Sequence, residues 1–331
     1  MTLSKENLNL PLASIIVPVY NGAPTLDGCL EALAGQTAEA NTYEVIVVDD
    51  GSSDGSGELA ACHGVTVLRQ EHAGAAAARN RGARQAQAPI LLFTDADCEP
   101  RADWVEQMLG AFADPEVAGV KGAYRTRQRS LVARFVQAEY EEKYDRLKRE
   151  SQIDFVDTHA AGYRADVFWD AGGFDPAFQY DEDQEFSFRV AKAGHKLVFA
   201  PAAIVYHWHT ATAWRYVRRK VVIGRWKVPV LARHPSKAFR DDYTPWTEKA
   251  QIIFLPLTVG LAVAAILDLL PWAVVAIFAL PGLLCTLPLT IKALHQGWQV
   301  ALAAPFLALL RALALGLGVA WGLVSPPRKE R

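Results

Sequence analysis

Asp95-Ala96-Asp97 closes the apolar run PILLFTDAD. Two carboxylates one residue apart at a strand terminus can share a hard divalent cation and its phosphate ligands. Taken alone, such a pair is as readily a solvated loop or a helix cap, because Asp is common before helices. A further acid, Asp50, ends the run YEVIVVDD within the turn DDGSSDGSG, whose glycines let backbone approach a ligand closely. Downstream, the stretch YDEDQEFSFR gathers carboxylates where a helix would start, a position the helix dipole favours and one compatible with proton transfer. Cys98 follows the Asp pair with nothing nearby to activate a thiolate, so it reads as a small buried residue.

These acids must be held by something, and the pattern around them says what. ASIIVPV, YEVIVVDD, VTVLRQ and PILLFTDAD alternate with helical stretches over 24–36, 53–62, 73–87 and 103–113, which implies an α/β fold with a mostly parallel sheet. In such sheets ligands sit beyond the carboxyl ends of the strands, where Asp49, Asp50, Asp95 and Asp97 all fall. Residues 130–150 read as an amphipathic helix, and KLVFAPAAIVYHW as another strand.

The 331 residues suffice for a catalytic domain of about 200 plus an appendage. Composition excludes a disordered or collagen-like chain, with 51% hydrophobic and 21% charged residues. The net charge of −2 hides an asymmetry: residues 1–185 carry 16 Lys/Arg against 31 Asp/Glu, whereas 186–240 carry 12 basic residues and no acid. The four cysteines form no C-x-x-C pair and fit a reducing compartment. MTLSKENLNLPL lacks the basic and apolar regions of a signal peptide, so the first domain is expected in the cytosol.

Beyond residue 241 the chain turns apolar. Residues 252–270 contain one charge, Asp268, and 272–291 none, each long enough to span a bilayer, with Pro271 between them. A third run, 300–324, carries Arg311 near its middle, which is expensive in hydrocarbon, so this run either spans or lies in the interface. The basic, aromatic-rich segment before the first span places the N-terminal domain on the cytoplasmic side of the membrane. It also favours headgroup or lipid-phosphate contact over nucleic acid. The basic tail PPRKER would share that side if the number of spans is even. The expected organisation is a catalytic domain over 1–210, a juxtamembrane segment over 211–250 and a membrane region over 251–331.

At this point the chain resembles the family 2 nucleotide-sugar glycosyltransferases. The motifs match in order: IIVPVYNG, VIVVDDGSSDGS, GAAAARNRG, LLFTDADC, then GGFD and EDQEFSFRVAKAG, over about residues 13–210. The resemblance implies an inverting enzyme of the GT-A fold, a Rossmann-like sheet flanked by helices and followed here by a C-terminal transmembrane region. It implies that Pro18, Tyr20 and Asp50 surround the uracil of a UDP-sugar donor and that Arg79 and Asp95 contact the nucleotide. Asp97 would hold a divalent metal, Mn²⁺ or Mg²⁺, bridging the two phosphates. Glu182-Asp183 falls where the family has its Glu-Asp pair, making Glu182 a donor-site residue and Asp183 the general base. His207 stands where some members have a histidine near the diphosphate or metal, although a structural histidine is an equal reading.

Processive membrane members carry Q-x-x-R-W before their transmembrane helices, whereas this chain has VIGRW: Arg225 and Trp226 remain as donor-site candidates and the Gln is absent. This favours transfer of a single sugar to a lipid-linked or cell-envelope glycan acceptor at the cytoplasmic face. The strongly acidic N-terminal half accommodates a doubly negative diphosphate only with a cation, which supports metal dependence. Two other readings stand beside it. A sugar nucleotidyltransferase would carry a basic Gly-rich loop after the first strand, but the loop is YNGAP. A non-catalytic membrane scaffold would not need all of Asp50, Asp95, Asp97 and Asp183.

Overall fold

The computed structural model describes residues 10–238 and 240–327. They sort into two compact units. One runs to Arg125 and resumes over Glu150–Trp208; the other comprises Thr126–Arg149 and the chain from His209 onward.

The first unit is a mixed α/β sheet with flanking helices. Its parallel half follows from the alternation of apolar strands and helices: β1 (Ala13–Val19), α1 (Ala23–Ala34), β2 (Tyr43–Asp49), α2 (Ser56–Cys62), β3 (Thr66–Arg69), α3 (Ala75–Gln85) and β4 (Ile90–Phe93). β1 is buried along its whole length because β2 and β4 pair with it on either side, both parallel. Pro18 costs the sheet little, since the register with β4 ends at Ile16–Phe93. Pro24 opens α1, where its missing N–H is not needed.

The remaining elements are β5 (Cys98–Pro100), α4 (Trp104–Ala111), β6 (Val117–Arg125), then, in the second unit, α5 (Leu131–Leu147), and back in the first β7 (Ala161–Arg164), α6 (Ala165–Asp170), α7 (Glu182–Lys192) and β8 (Lys196–His207). Strand order is β3-β2-β1-β4-β7-β6-β8-β5, with β7 antiparallel to both β4 and β6 and β5 antiparallel to β8. That last pairing sets Cys98 opposite His207 and so carries the Asp pair to the end of β8.

The second unit is helical: α5, then α8 (Ala213–Arg233), α9 (Trp246–Ile266), α10 (Trp272–Leu284), α11 (Leu287–Ala293) and α12 (Trp298–Val324). Three stretches, 246–266, 272–296 and 298–324, are long and apolar enough to cross a membrane. The first two bury little of themselves and the third about half, and Ile253, Ile266, Ile277, Phe306 and Leu323 are each more than 60% exposed, an apolar surface that water does not favour. α8 lies against α12 at Gly224, Gly318 and Gly322, where a Cβ would strike backbone of the facing helix. The α5 face that packs in this unit, with Val132, Phe135 and Ala138, joins Tyr216, Leu289 and the small residues of α12 in one apolar cluster.

Arg311, the charge inside the last apolar run, is 2% exposed. Its guanidinium donates to Glu139 of α5 at 2.8 Å and to Gln251 of α9 at 3.1 Å, and it lies 3.3 Å from Glu248. Tyr216 and Lys220 of α8 reach Glu139 as well. The cost of a buried cation is thus offset by two carboxylates that are themselves buried.

Candidate active site

The polar ends of β1, β2 and β4 come together through their loops. Asn21, in a left-handed conformation, accepts from the Ser53 backbone, while the N–H groups of Asn21, Gly22 and Ala23 donate to Ser52, Ser56 and Asp54. The two loops YNG and DDGSSDGS therefore hold each other. Asp50, nearly fully buried, accepts from the backbone of Ala73 and Gly74 at 2.9 Å each and from Gln70 at 2.6 Å. Gly74 has φ +92°, a conformation that lets both N–H groups face one carboxylate and starts α3 at once. His72 completes the clamp, its Nδ1 2.9 Å from Asp50, and stacks on Tyr20 with ring centroids 4.0 Å apart. Tyr20 stays half exposed and presents an open aromatic face.

Arg79, one turn into α3, is 4% exposed and bridges two acids, donating to Asp95 at 2.7 Å and to Glu182 at 2.6 Å. The next residue, Asn80, exchanges two hydrogen bonds with the backbone of Phe174 in the GGFD turn. The ring of Phe174 packs on Phe93, Phe168 and Phe186, so the helix that aims Arg79 is locked to the sheet. Burial would raise the Asp95 carboxyl, but Arg79 and His159 pull it below the ordinary value and keep it ionised.

Asp97 remains 43% exposed, with its carboxylate 3.5 Å from Nε2 of His207. The His207 ring meets His159 edge-on at 4.5 Å, and His159 lies 3.7 Å from Asp95. Asp97, Cys98 and His207 offer ligand atoms within 4.8 Å of one another. A carboxylate and an imidazole suit Mn²⁺ better than the oxygen-demanding Mg²⁺ and leave positions for phosphate oxygens. The Cys98 thiol lies within the same group and is buried; burial and the neighbouring Asp97 and Asp95 push it well above its usual range.

Asp183 sits in the first turn of α7, half-buried, accepting from the backbone of Gln184 at 2.7 Å and of Thr158 at 3.3 Å. Burial, together with the adjacent Glu182, Asp157 and Asp181, raises its carboxyl well above the ordinary value. Glu182 is raised too, since burial outweighs its bond to Arg79. Asp157 is countered by Lys121, which is fully buried among aromatic rings.

Pro18, Tyr20, Asp50, Arg79, Asp95, Asp97, Glu182, Asp183 and His207 all belong to the first unit; Pro18 lies in β1, two residues before Tyr20, and the contacts above link the others. Arg225 and Trp226 belong to the second: Arg225 donates to the carbonyl of Ser325 and lies 3.9 Å over the Trp321 ring, and Trp226 is buried on α8. Sequence reasoning passed over Gln70, His72, Lys121 and Asp157. Gln70 and His72 stand just beyond the carboxyl end of β3, a signal that was available. Lys121 and Asp157, 36 positions apart, had none.

Comparison with known proteins gives this geometry its family. The description "Glycosyl transferase family 2" matches residues 14–172. The pre-mycofactocin glycosyltransferase of Mycobacterium tuberculosis is 34% identical over 238 residues, 68% of this chain and 48% of that one, so the chain spans about half of that relative's length. Glycosyltransferase AglE of Haloferax volcanii is 32% identical over 208 residues, 60% of this chain and 67% of AglE. In fold, the chain is similar to the mannosyltransferase PcManGT of Pyrobaculum calidifontis, a structure in complex with GDP-Man and Mn²⁺, with a TM-score of 0.63, 20% identity and coverage of 97% of this chain and 89% of that one. The ordered loop motifs, the sheet that carries them and these relatives together make the chain a member of the family 2 glycosyltransferases.

Proposed function

We propose that this protein is a membrane-anchored inverting glycosyltransferase that moves one sugar from a nucleotide donor, UDP-linked by the family resemblance, to a lipid-linked or cell-envelope glycan acceptor at the cytoplasmic face. The observation that carries the reading is the carboxylate cleft at the strand ends. There Asp50 and Tyr20 offer a clamp and a stacking face for a base, while Arg79 fixes Asp95 beside the partly open Asp97. Asp50, held by Gln70, Ala73, Gly74 and His72, fixes the loop that sets His72 against Tyr20 and so shapes the base site. A divalent cation held by Asp97 and His207 would supply the positive charge that a departing diphosphate needs. Asp183, with its raised carboxyl, suits removal of a proton from an acceptor hydroxyl as that oxygen bonds to the anomeric carbon and the bond to the diphosphate breaks on the opposite face. For an ionised phosphate acceptor the same residue would position rather than deprotonate.

The loop geometry weighs against a nucleotidyltransferase. The backbone N–H groups of Asn21, Gly22 and Ala23 are already engaged and are not offered to a triphosphate. A scaffold role leaves the raised Asp183 without a use.

Membrane attachment is supported by the exposed apolar faces of α9 to α12, and orientation by the basic segment before α9. We read α9 and the 272–296 stretch as the two spans and α12 as lying in the interface. The middle of α12, at Arg311, meets the first turns of α9 at Glu248 and Gln251, while Val300 and Ala301 near its start cluster with Leu289 and Ala293 of α11. Its exposed stripe, Leu302, Phe306, Leu313, Leu317 and Val324, is apolar, as contact with acyl chains requires. A cysteine introduced at Ser325 should then be labelled from the cytoplasmic side.

The test is nucleoside diphosphate release from a panel of nucleotide sugars by the purified chain in nanodiscs, with Mn²⁺, Mg²⁺ or chelator, and with membrane lipid extract as acceptor. Metal-dependent release with one donor, lost in Asp97→Ala and Asp183→Asn, is the expected result. No release and no donor binding with any nucleotide sugar would overturn the reading.

A further inference from the structure

The second unit contains a cavity of about 410 Å³ where the end of α5, the start of α9 and the α11 turn meet. Arg146, Arg149, Lys292 and His295 line it, with Trp246 and Ile291 at its edge. Among the described residues no side chain pairs with Arg146 or Arg149, and Nη1 of Arg146 is buried without a hydrogen-bond partner. A guanidinium so placed is a vacant fork for a doubly coordinating oxyanion. The two acids in the wall do not fill that role. Asp145 is held by Lys292 at 2.5 Å and by Lys148 at 3.6 Å, and Glu142 is driven toward its neutral form by burial and by Glu248 and Glu139.

The edge of the cavity decides what the anion is attached to. Trp246 is 70% and Ile291 62% exposed, and both stand at the ends of apolar stretches long enough to span a bilayer. An aromatic ring with cations beside it at a helix end marks the depth of the headgroups. A free phosphate would use the arginines and leave the apolar wall uncovered, whereas a lipid covers both. We propose that this cavity binds the phosphate of an anionic lipid headgroup, with the acyl chains running along the exposed face of α11. The proposal rests on the membrane reading above but not on the chemistry of the carboxylate cleft.

Binding of dioleoyl phosphatidic acid to the full chain in detergent micelles, read by native mass spectrometry and by Trp fluorescence, tests it. Dioleoyl phosphatidylcholine and inorganic phosphate serve as comparison and competitor. Saturable binding of phosphatidic acid is expected, weakened at least about tenfold in Arg146→Gln/Arg149→Gln and by a smaller factor in Arg146→Lys/Arg149→Lys, which keeps the charge and loses the fork. UDP binding, which depends on the first unit, should be unchanged in both, and an unchanged thermal unfolding in detergent reports that the second unit folds. Equal affinity of wild type and the Gln variant, or phosphatidylcholine binding as well as phosphatidic acid, would overturn the site. Inorganic phosphate displacing the lipid at comparable concentration would overturn the lipid assignment. Failure of the wild type to bind any nucleotide would count against the donor reading and leave the lipid result standing.

Discussion

Two buried arginines in this molecule sit between two carboxylates each, and they do different things. Arg79 joins Asp95 and Glu182 in the first unit; Arg311 joins Glu139 and Glu248 in the second. Around Arg79 the acids are only partly closed off, Asp95 being 20% exposed at its side chain and the nearby Asp97 43%. Around Arg311 both partners are below 10% exposed. The first cluster therefore has ligand-accessible charge left over, and the second spends all of it on holding α5, α9 and α12 together. A buried ion pair identifies a functional site only when an acid beside it remains open and another, here Asp183, is held away from its ordinary ionisation.

The largest expected effects break this comparison on the side of chemistry. Asp97→Ala and Asp183→Asn should each lower nucleoside diphosphate release by about 10²- to 10³-fold, and chelator should do the same to wild type. Next come the arginines: Arg79→Met and Arg311→Met should each destabilise by about 3–5 kcal/mol, measured as thermal unfolding in detergent, because each removes the cation its two carboxylates share, leaving Asp95 with His159 and Glu139 with Lys220 and Tyr216. Neutralising the two carboxylates separates them. Arg311→Met with Glu139→Gln and Glu248→Gln should recover both stability and turnover, whereas Arg79→Met with Asp95→Asn and Glu182→Gln should recover stability alone. Turnover in the second triple variant, or none in the first, would erase the distinction.

Protonation of Asp183 sharpens it further. Its folded carboxyl is raised above the unfolded value near 3.8, so the folded chain binds that proton more tightly than the unfolded chain. The ionised side chain costs stability, a cost absent at pH below 3.8 and growing as pH rises through the raised value. In chelator at neutral pH, Asp183→Asn should melt higher than wild type, and the gap should close toward pH 4. Wild-type turnover should fall with acid through the same window. A variant that melts lower at neutral pH would remove the assignment. Smallest is His72→Ala, which takes away the ring stacked on Tyr20 and should weaken nucleotide binding by about 1 kcal/mol, roughly fivefold, by calorimetry.

Much of the first unit is legible in the sequence. Continuous apolar runs ending in Asp49, Asp50, Asp95 and Asp97 are local patterns, and local patterns fix strands, their carboxyl ends and the loops that follow. GGFD was legible as a motif but not as a lock. That it holds Asn80, and through α3 aims Arg79, depends on a pairing across 94 residues. Arg311 was legible only as a cost, since the Glu139 that meets it lies 172 positions earlier on a helix that reads locally as an ordinary amphipathic surface. His72 was within reach of the strand-end rule, but its clamp on Asp50 and its stack on Tyr20 join loops 22 and 52 residues apart.

By itself the sequence determined the α/β pattern, the acids at the strand ends, the family motifs and the apolar stretches, because each is written in the spacing of near neighbours. Tertiary structure alone decided which acids remain open, that β5 sets Cys98 and Asp97 beside His207, that Arg225 turns to Trp321 and Ser325, and that α5 serves the helical unit. Those outcomes turn on burial and on partners distant in the chain, and residue spacing carries no information about either until the backbone has closed.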